Sequence, residues 1–161
     1  MTKRKPFAGT TLSAIPIVCA ALLAASCATV NQVPREKDVM RLVGLINEGK
    51  VTTIEGLTPA PFALDTETLY LDSDVATLWN NLAAASFAMN DPRFGGSDPI
   101  SPDSWKTFAD SYDMKNFFEK YTGKDTYLVA VDTAEGRYYL LLERKIKGYP
   151  KVRGIKGPVQ L

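Results

Sequence analysis

The chain has 161 residues, 45% of them hydrophobic, and a formal net charge of +1, so it is long enough for one domain with an ordinary core. It contains no histidine, and its two cysteines are Cys19 and Cys27. Zinc sites of the usual cysteine and histidine type, Cys-His nucleophiles and Ser-His-Asp triads are therefore excluded, and we expect neither a metal nor a cofactor.

The first residues are typical of a targeting segment. Basic residues occupy positions 3–5, an apolar stretch covers positions 12–25, and no acidic residue occurs before Glu36. The apolar stretch is shorter than the roughly 20 residues that a permanent membrane-spanning helix needs. We therefore predict a cleaved signal peptide at residues 1–26.

Residues 22–27, Leu-Leu-Ala-Ala-Ser-Cys, resemble the lipobox of bacterial lipoproteins, although position 24 is alanine where leucine is common. The resemblance implies cleavage before Cys27, lipid on its thiol, a tether over residues 27–35, and a membrane-anchored place in the cell envelope. Because Ala28 rather than aspartate follows the cysteine, the resemblance favours the outer membrane. The alternative is an ordinary secretory signal and a soluble product.

Helical spacing predicts the first part of the domain, which we place at residues 36–161. Apolar residues recur at i, i+3, i+4 and i+7 before Gly49, a suitable helix stop, and residues 51–57 add one more helical turn. Residues 62–71 predict one or two short strands with a turn near Asp65. The apolar residues of the first helix are Val39, Leu42, Val43 and Ile46.

A second helix is predicted over about residues 74–89, with Asp72 or Ser73 as the N-cap. Residues 90–99 contain two Asp-Pro pairs and a Gly-Gly pair, which are typical of a loop. Residues 101–108 fit either a helix start or an edge strand. A further helical face precedes Gly123 and consists of Met114, Phe117, Phe118 and Tyr121.

The chain ends in strand patterns over residues 126–132, 137–147 and 151–155, separated by turn residues, which predict an antiparallel meander. Tyr138 and Tyr139 are adjacent on one of these strands, so their rings should point to opposite faces of the sheet. Basic residues are concentrated after Glu135. We interpret them as solvent-facing residues of the terminal strands, with an anionic partner as the alternative.

This order of elements resembles the nuclear-transport-factor-like, or cystatin-like, α+β roll, with local similarity at residues 45–50 and 61–65. The resemblance implies a single α+β domain in which helices pack on a curved antiparallel sheet around a conical pocket. The helix at Phe117 departs from the usual order of the superfamily. The superfamily includes enzymes, ligand-binding proteins and assembly subunits, so the fold alone does not define function.

Four residues are candidate ligand contacts in such a pocket, namely Trp79, Phe117, Tyr139 and Asp65. The alternative for the aromatic residues is ordinary core packing. Asp65 is one of four acidic residues close together in the sequence, with Glu67, Asp72 and Asp74, and paired carboxylates can perform acid and base chemistry. Helix capping explains Asp72 and Asp74 equally well, and we assign no catalytic residue.

Three hypotheses for function remain open. The first is a non-enzymatic envelope lipoprotein that binds a small apolar ligand or another envelope protein. The second is a small pocket enzyme, of the isomerase or dehydratase type, that uses a buried aspartate with a tyrosine donor. The third is a structural role, which predicts an exposed apolar patch. No nucleic-acid partner is expected, because the predicted location lies outside the cytoplasm.

Overall fold

The structure, a computed structural model, describes residues 34–145 and 148–160. The predicted signal peptide, Cys27 and residues 28–33 of the predicted tether lie outside the described residues. The rest of the chain forms an α+β domain with four α-helices, one short 3-10 helix and a six-stranded sheet. The predicted fold class is thereby confirmed as a single α+β domain.

The first helix follows the predicted periodicity. Helix α1 (Glu36–Asn47) buries its four predicted apolar residues, and the chain turns at Gly49, which has a φ of 61°. Helix α2 (Val51–Glu55) is the predicted extra turn and buries Ile54. The apolar stripe of α1 packs on the sheet, and its polar face is left toward solvent.

Helix α3 (Asp72–Ala84) differs from its predicted bounds at both ends. The N-cap is Leu71 and no side chain caps the helix, so the predicted capping role of Asp72 or Ser73 is wrong. The helix ends at Ala84 because Ser86 takes a left-handed conformation with a φ of 54°, and the Ser86 and Phe87 N–H groups close the last turn. Beyond it, the backbone of Met89 is bonded to the side chain of Asn47 on α1. The Asn47 amide donates to the Met89 carbonyl at 2.9 Å and accepts from the Met89 N–H at 2.8 Å.

The sheet is open and mostly antiparallel, with the strand order β2-β1-β6-β5-β4-β3. The pairing of β1 with β6 is parallel, so the predicted all-antiparallel sheet is corrected to a mixed one. This parallel contact joins β1, the first strand in the sequence, to β6, the last one. The strands are β1 (Phe62–Leu64), β2 (Glu67–Leu69), β3 (Arg93–Pro99), β4 (Thr126–Thr133), β5 (Gly136–Glu143) and β6 (Lys151–Val159).

Strand β3 contradicts the predicted loop at residues 90–99. It is an edge strand that pairs with β4, and the ladder shifts register between Phe94 and Gly96. A bulge of this kind accommodates the Gly-Gly pair, and Gly96 has a φ of 133°. Pro99 is tolerated because edge strands leave backbone groups free of the ladder on one side. In the segment left open at residues 101–108, the structure has a 3-10 helix (Ser104–Thr107).

Helix α4 (Tyr112–Tyr121) lies on the opposite face of the sheet from α1 to α3. Its N-cap is Ser111, whose hydroxyl accepts from the Met114 N–H at 3.2 Å, and it buries Met114, Phe117 and Phe118. The sheet is thus covered on both faces. Tyr138, 4% exposed, points to the first face, and the half-buried Tyr139 points to the other, which confirms the predicted alternation.

The two faces define two cores. We call the cluster under α1 to α3 the first core and the cluster under α4 the second core. The first core is built around Val39, Leu42, Val43, Ile46, Phe62, Trp79, Val129, Val131, Leu140, Leu142 and Val152. The second core consists of Ala63, Phe108, Met114, Phe117, Phe118 and Leu141. Among the helices that the structure describes, none has the length and apolar character to cross a bilayer.

Candidate functional site

Trp79, the first predicted ligand contact, is 2% exposed and lies in the first core. Its ring packs edge to face on Phe62, with centroids 6.2 Å apart, and its indole N–H donates to Thr58 Oγ1 at 3.0 Å. Thr58 in turn donates to the Ile54 carbonyl at 3.0 Å. The void beside the indole measures about 10 Å³, which is at most enough for one water molecule. The ring therefore fills the core where a conical pocket was expected.

The other three predicted contacts lie elsewhere. Phe117 is fully buried in the second core, on the far side of the sheet from Trp79. Tyr139 shares the face of Phe117 and is half-buried. Asp65 is exposed in the β1–β2 turn, where its carboxylate accepts from the Gly157 N–H at 2.9 Å. The structure does not bring the four residues into one cavity, and their role in ligand binding stays a prediction.

The acidic residues of the described segments all reach solvent. The buried polar side chains of these segments are Thr58 and Thr126. The described residues contain no cluster of three acidic or cysteine side chains that could hold a metal ion. Glu67 and Asp74 are exposed, while Asp72 lines a groove. A buried aspartate paired with a tyrosine, which the pocket-enzyme hypothesis requires, is therefore not found in the part of the chain that the structure describes.

The groove lies between α2, the start of α3 and the start of β6, and its volume is about 420 Å³. Small-molecule sites have volumes of about 300–1,000 Å³, so this groove could hold a small ligand. We call it the α2–α3 groove. It is lined by Glu55, Gly56, Thr58, Pro59, Asp72, Val75, Ala76 and Lys151. Of this set, Asp72 had been considered as a candidate acid and Lys151 as one of the basic terminal residues, but the two were not connected, because the lining comes from three separated segments.

Two carboxylates line the groove, that of Glu55 at the end of α2 and that of Asp72 at the start of α3. Glu55 accepts from the Asn80 side-chain amide at 3.0 Å through Oε1, and Asp72 accepts from the Ala60 N–H at 3.0 Å through Oδ1. The Asn80 amide also donates to the Ala76 carbonyl at 2.8 Å. Each of the two carboxylates is thus oriented by a hydrogen bond to one of its oxygens.

The groove also contains one cation, Lys151, which is positioned by a backbone hydrogen bond of the next residue. The Val152 N–H donates to the Leu57 carbonyl at 2.8 Å, which fixes the start of β6 beside α2. The Lys151 ammonium lies 3.4 Å from Glu143 Oε1, and Arg153 donates to Glu143 Oε2 at 2.7 Å. Two of the basic residues of the terminal segment, which were predicted to face solvent, are thus partly buried and paired with one glutamate.

We predict that Glu143→Gln changes how stability depends on pH. Burial raises the pKa of the Glu143 carboxyl, but the hydrogen bond and charge of Arg153, with help from Lys151, outweigh burial and lower the pKa below its usual value. Because the folded-state pKa is depressed, this stabilisation is present above about pH 4.3, the ordinary glutamate pKa, and is lost as pH falls through the folded-state pKa.

Urea unfolding from pH 7 to pH 3 should therefore show that the variant is less stable than the wild type at pH 7 and that the difference shrinks on acidification. Glu48→Gln, at an exposed position that ends α1, is the matched control and should lower stability at pH 7 by less than Glu143→Gln does. A difference between Glu143→Gln and the wild type that does not change with pH would contradict the prediction.

Comparison with known proteins adds no assignment. A scan against protein-family models gives no match, and neither the curated proteins nor the solved structures contain a significant match to the chain.

Proposed function

We propose that this protein is a lipid-anchored envelope protein whose single domain is a non-enzymatic binding module. The observation that carries the binding role is the α2–α3 groove, whose lining combines two hydrogen-bonded carboxylates with the apolar side chains of Pro59, Val75 and Ala76. The exposure of the acidic residues favours binding over the pocket-enzyme alternative, because an acid that stays in water lacks the desolvation that tunes catalytic pKa values.

The anchor rests on the signal-like residues 1–26 and on Cys27 at the end of the lipobox-like segment. Two or three acyl chains on one cysteine give stable attachment, whereas one chain is marginal. The described domain begins at the buried Pro34, seven residues after Cys27. Seven extended residues span at most about 25 Å, so the lipid would keep the start of the described domain within that distance of the membrane surface.

We further propose that the domain is a variant of the cystatin-like roll. The helix pair α1 and α2 before the Phe62 strand, with the helices on one face of the sheet, supports this assignment. Two features set the variant apart: α4 covers the other face of the sheet, and Trp79 fills the space where the superfamily has its conical pocket. Binding is consequently assigned to the groove at the edge of the helical layer.

The anchor predicts a complete loss of lipidation and of membrane association in Cys27→Ala. The measurement is the mass of the N-terminal peptide from membrane-extracted protein, together with the share of protein in the membrane fraction. Cys19→Ala, which changes the other cysteine of the chain, is the matched control and should retain both properties. An unmodified wild-type N-terminus, or a Cys27→Ala variant that still carries lipid, would refute the anchor.

A further inference from the structure

We infer that one end of the domain lies against the headgroups of anionic phospholipids, so that a basic surface and the lipid anchor together hold the domain on the membrane. This inference rests on the proposed anchor, because it adds a second membrane contact beside Cys27. It is supported by the place where the described chain begins, by the basic side chains around that place and by their lack of carboxylate partners in the described residues.

The described chain begins at one end of the sheet. Asn47, the last residue of α1, is bonded to the backbone that precedes β3, and Asn90 in that backbone accepts from the Ala134 N–H of the β4–β5 turn at 3.0 Å. Helix α1 is about 18 Å long, so its first turn lies toward the opposite end of the sheet, where β5 connects to β6. The Arg41 guanidinium accordingly lies 5.1 Å from the centroid of the Tyr149 ring in that connection.

Basic side chains surround this starting point. Residues 34–41, 122–125 and 144–145 lie at this end of the sheet, and the last two segments are joined because the Arg144 N–H donates to the Asp125 carbonyl at 2.8 Å. These segments contain six basic and three acidic residues, so they are basic overall. The half-buried Arg144 and four exposed cations form what we call the basic end: Lys37, Arg41, Lys124, Arg144 and Lys145.

The cations of the basic end differ from the other basic residues of the terminal strands. Arg137, Lys151 and Arg153 have carboxylate partners at 2.6, 3.4 and 2.7 Å. Among the residues that the structure describes, no side chain of the basic end forms an ion pair. Their charges are therefore available to an anionic surface.

The acidic residues of the same segments do not cancel this charge. Asp38 is paired with Arg35 at 3.4 Å, which leaves Glu36 and Asp125 against the five cations of the basic end. The acids of the α2–α3 groove follow α3 and the backbone before β1, so the lipid contact is assigned to the β4–β5 side of the sheet. Anionic headgroups complement the net positive charge of that side.

The anchor brings lipid within reach of the basic end. Pro34 lies in the first of the three basic segments, seven residues after Cys27, and seven residues allow any separation up to about 25 Å. The attraction between exposed charges decays over about 10 Å at 0.1 M salt, so it acts when the basic end approaches the bilayer. Because the anchor keeps the lipid at a high effective concentration, a few unpaired cations suffice for a stable contact.

The test compares lysine reactivity on two kinds of vesicle. The mature protein, purified from its envelope in mild detergent, is inserted into the outer leaflet of preformed vesicles of phosphatidylcholine or of an equal mixture of phosphatidylcholine and phosphatidylglycerol. Acetylation by a water-soluble reagent, followed by peptide mass spectrometry, gives the reactivity of each lysine.

Contact with anionic headgroups should protect the lysines of the basic end. Because each Lys or Arg near an anionic surface contributes a factor of about five, Lys37, Lys124 and Lys145 should react at least about fivefold more slowly on the mixed vesicles. Lys50 follows the other end of α1 and should react equally on both kinds of vesicle. High salt should remove the protection, because it screens exposed charges.

Matched variants assign the protection to the basic end. Lys124→Gln combined with Lys145→Gln removes two of its five cations and should return the reactivity of Lys37 on the mixed vesicles toward the value on phosphatidylcholine. Lys50→Gln combined with Arg93→Gln makes the same change in net charge at the opposite end of the sheet and should leave Lys37 protected. Thermal unfolding followed by circular dichroism checks that both variants stay folded.

Three outcomes for a lipidated protein would overturn the inference: equal reactivity of the basic-end lysines on both vesicles, protection of Lys50 as strong as that of Lys37, or a control variant that removes the protection as fully as the basic-end variant. Protection by dextran sulfate but not by phosphatidylglycerol would assign the surface to an anionic polysaccharide and would also overturn it.

The mass of the N-terminal peptide separates this inference from the anchor on which it rests. An unmodified N-terminus would refute the anchor and with it the second contact. A lipidated N-terminus without protection of the basic-end lysines would refute this inference alone.

Discussion

Phe117→Ala should lower the free energy of unfolding by about 3–5 kcal/mol, the usual loss for a fully buried phenylalanine. Phe117 is 0% exposed and packs on Phe118 and Tyr121, with ring centroids 5.9 and 5.6 Å away. Its removal leaves a cavity in the second core, where α4 covers Leu141 on the sheet. Urea unfolding followed by far-ultraviolet circular dichroism measures the loss.

The control for this prediction is Tyr112→Ala on the same helix. Tyr112 is 81% exposed, so its truncation should change the free energy of unfolding by no more than about 0.5 kcal/mol. A loss below about 1 kcal/mol for Phe117→Ala would mean that α4 does not pack on the sheet. That result would remove the second core, which covers the other face of the sheet.

Gly154→Ala should cost about 1–3 kcal/mol through overpacking, although it adds a single methyl group. Gly154 pairs with Ala63 across the parallel contact of β6 and β1. A Cβ at this position would lie 2.9 Å from both the Cβ and the carbonyl oxygen of Ala63, and 3.2 Å from Phe108 Cε1. Since one of these atoms is backbone, the strands themselves must move apart. The midpoint of thermal unfolding and the urea midpoint should both fall.

Gly44→Ala is the opposite case and serves as the control. Gly44 lies within α1, and no atom outside its own helix backbone and chain neighbours is within 4 Å of the position of an added Cβ. Alanine should therefore stabilise the protein by about 0.5–1 kcal/mol through helix propensity. If Gly154→Ala were as well tolerated as Gly44→Ala, the close approach of β6 to β1 would be wrong.

The helices could be predicted from the sequence because their signal is local. The apolar spacing of α1 places Val39 and Ile46 on one face regardless of what covers them, and the same holds for Met114 and Phe117 on α4. Where local chemistry and tertiary pairing disagree, the sequence prediction is wrong. The Gly-Gly and Asp-Pro pairs of residues 93–99 suggest a loop, but pairing with β4 makes this segment a bulged edge strand.

The position of the groove could not be predicted from the sequence. We predicted Trp79 as a ligand contact because it is large and aromatic. In the structure, its packing against Phe62 and its hydrogen bond to Thr58 account for its position. Glu55, which lines the groove, carried no signal, and Lys151 was noted as one of the basic residues after Glu135 without any link to Glu55, which lies nearly a hundred residues away. Only the packing of α2 against α3 and β6 brings them together.

The amino-acid sequence by itself determined the absence of histidine chemistry, the signal-like N-terminus with Cys27, the apolar faces of the helices and the α+β class, because composition and short-range periodicity act over a few residues. The tertiary structure alone decided the parallel contact of β1 with β6, the two-sided burial of the sheet and the position of the groove. These features depend on pairings between segments far apart in the chain, and such pairings are set by the packing of the whole domain.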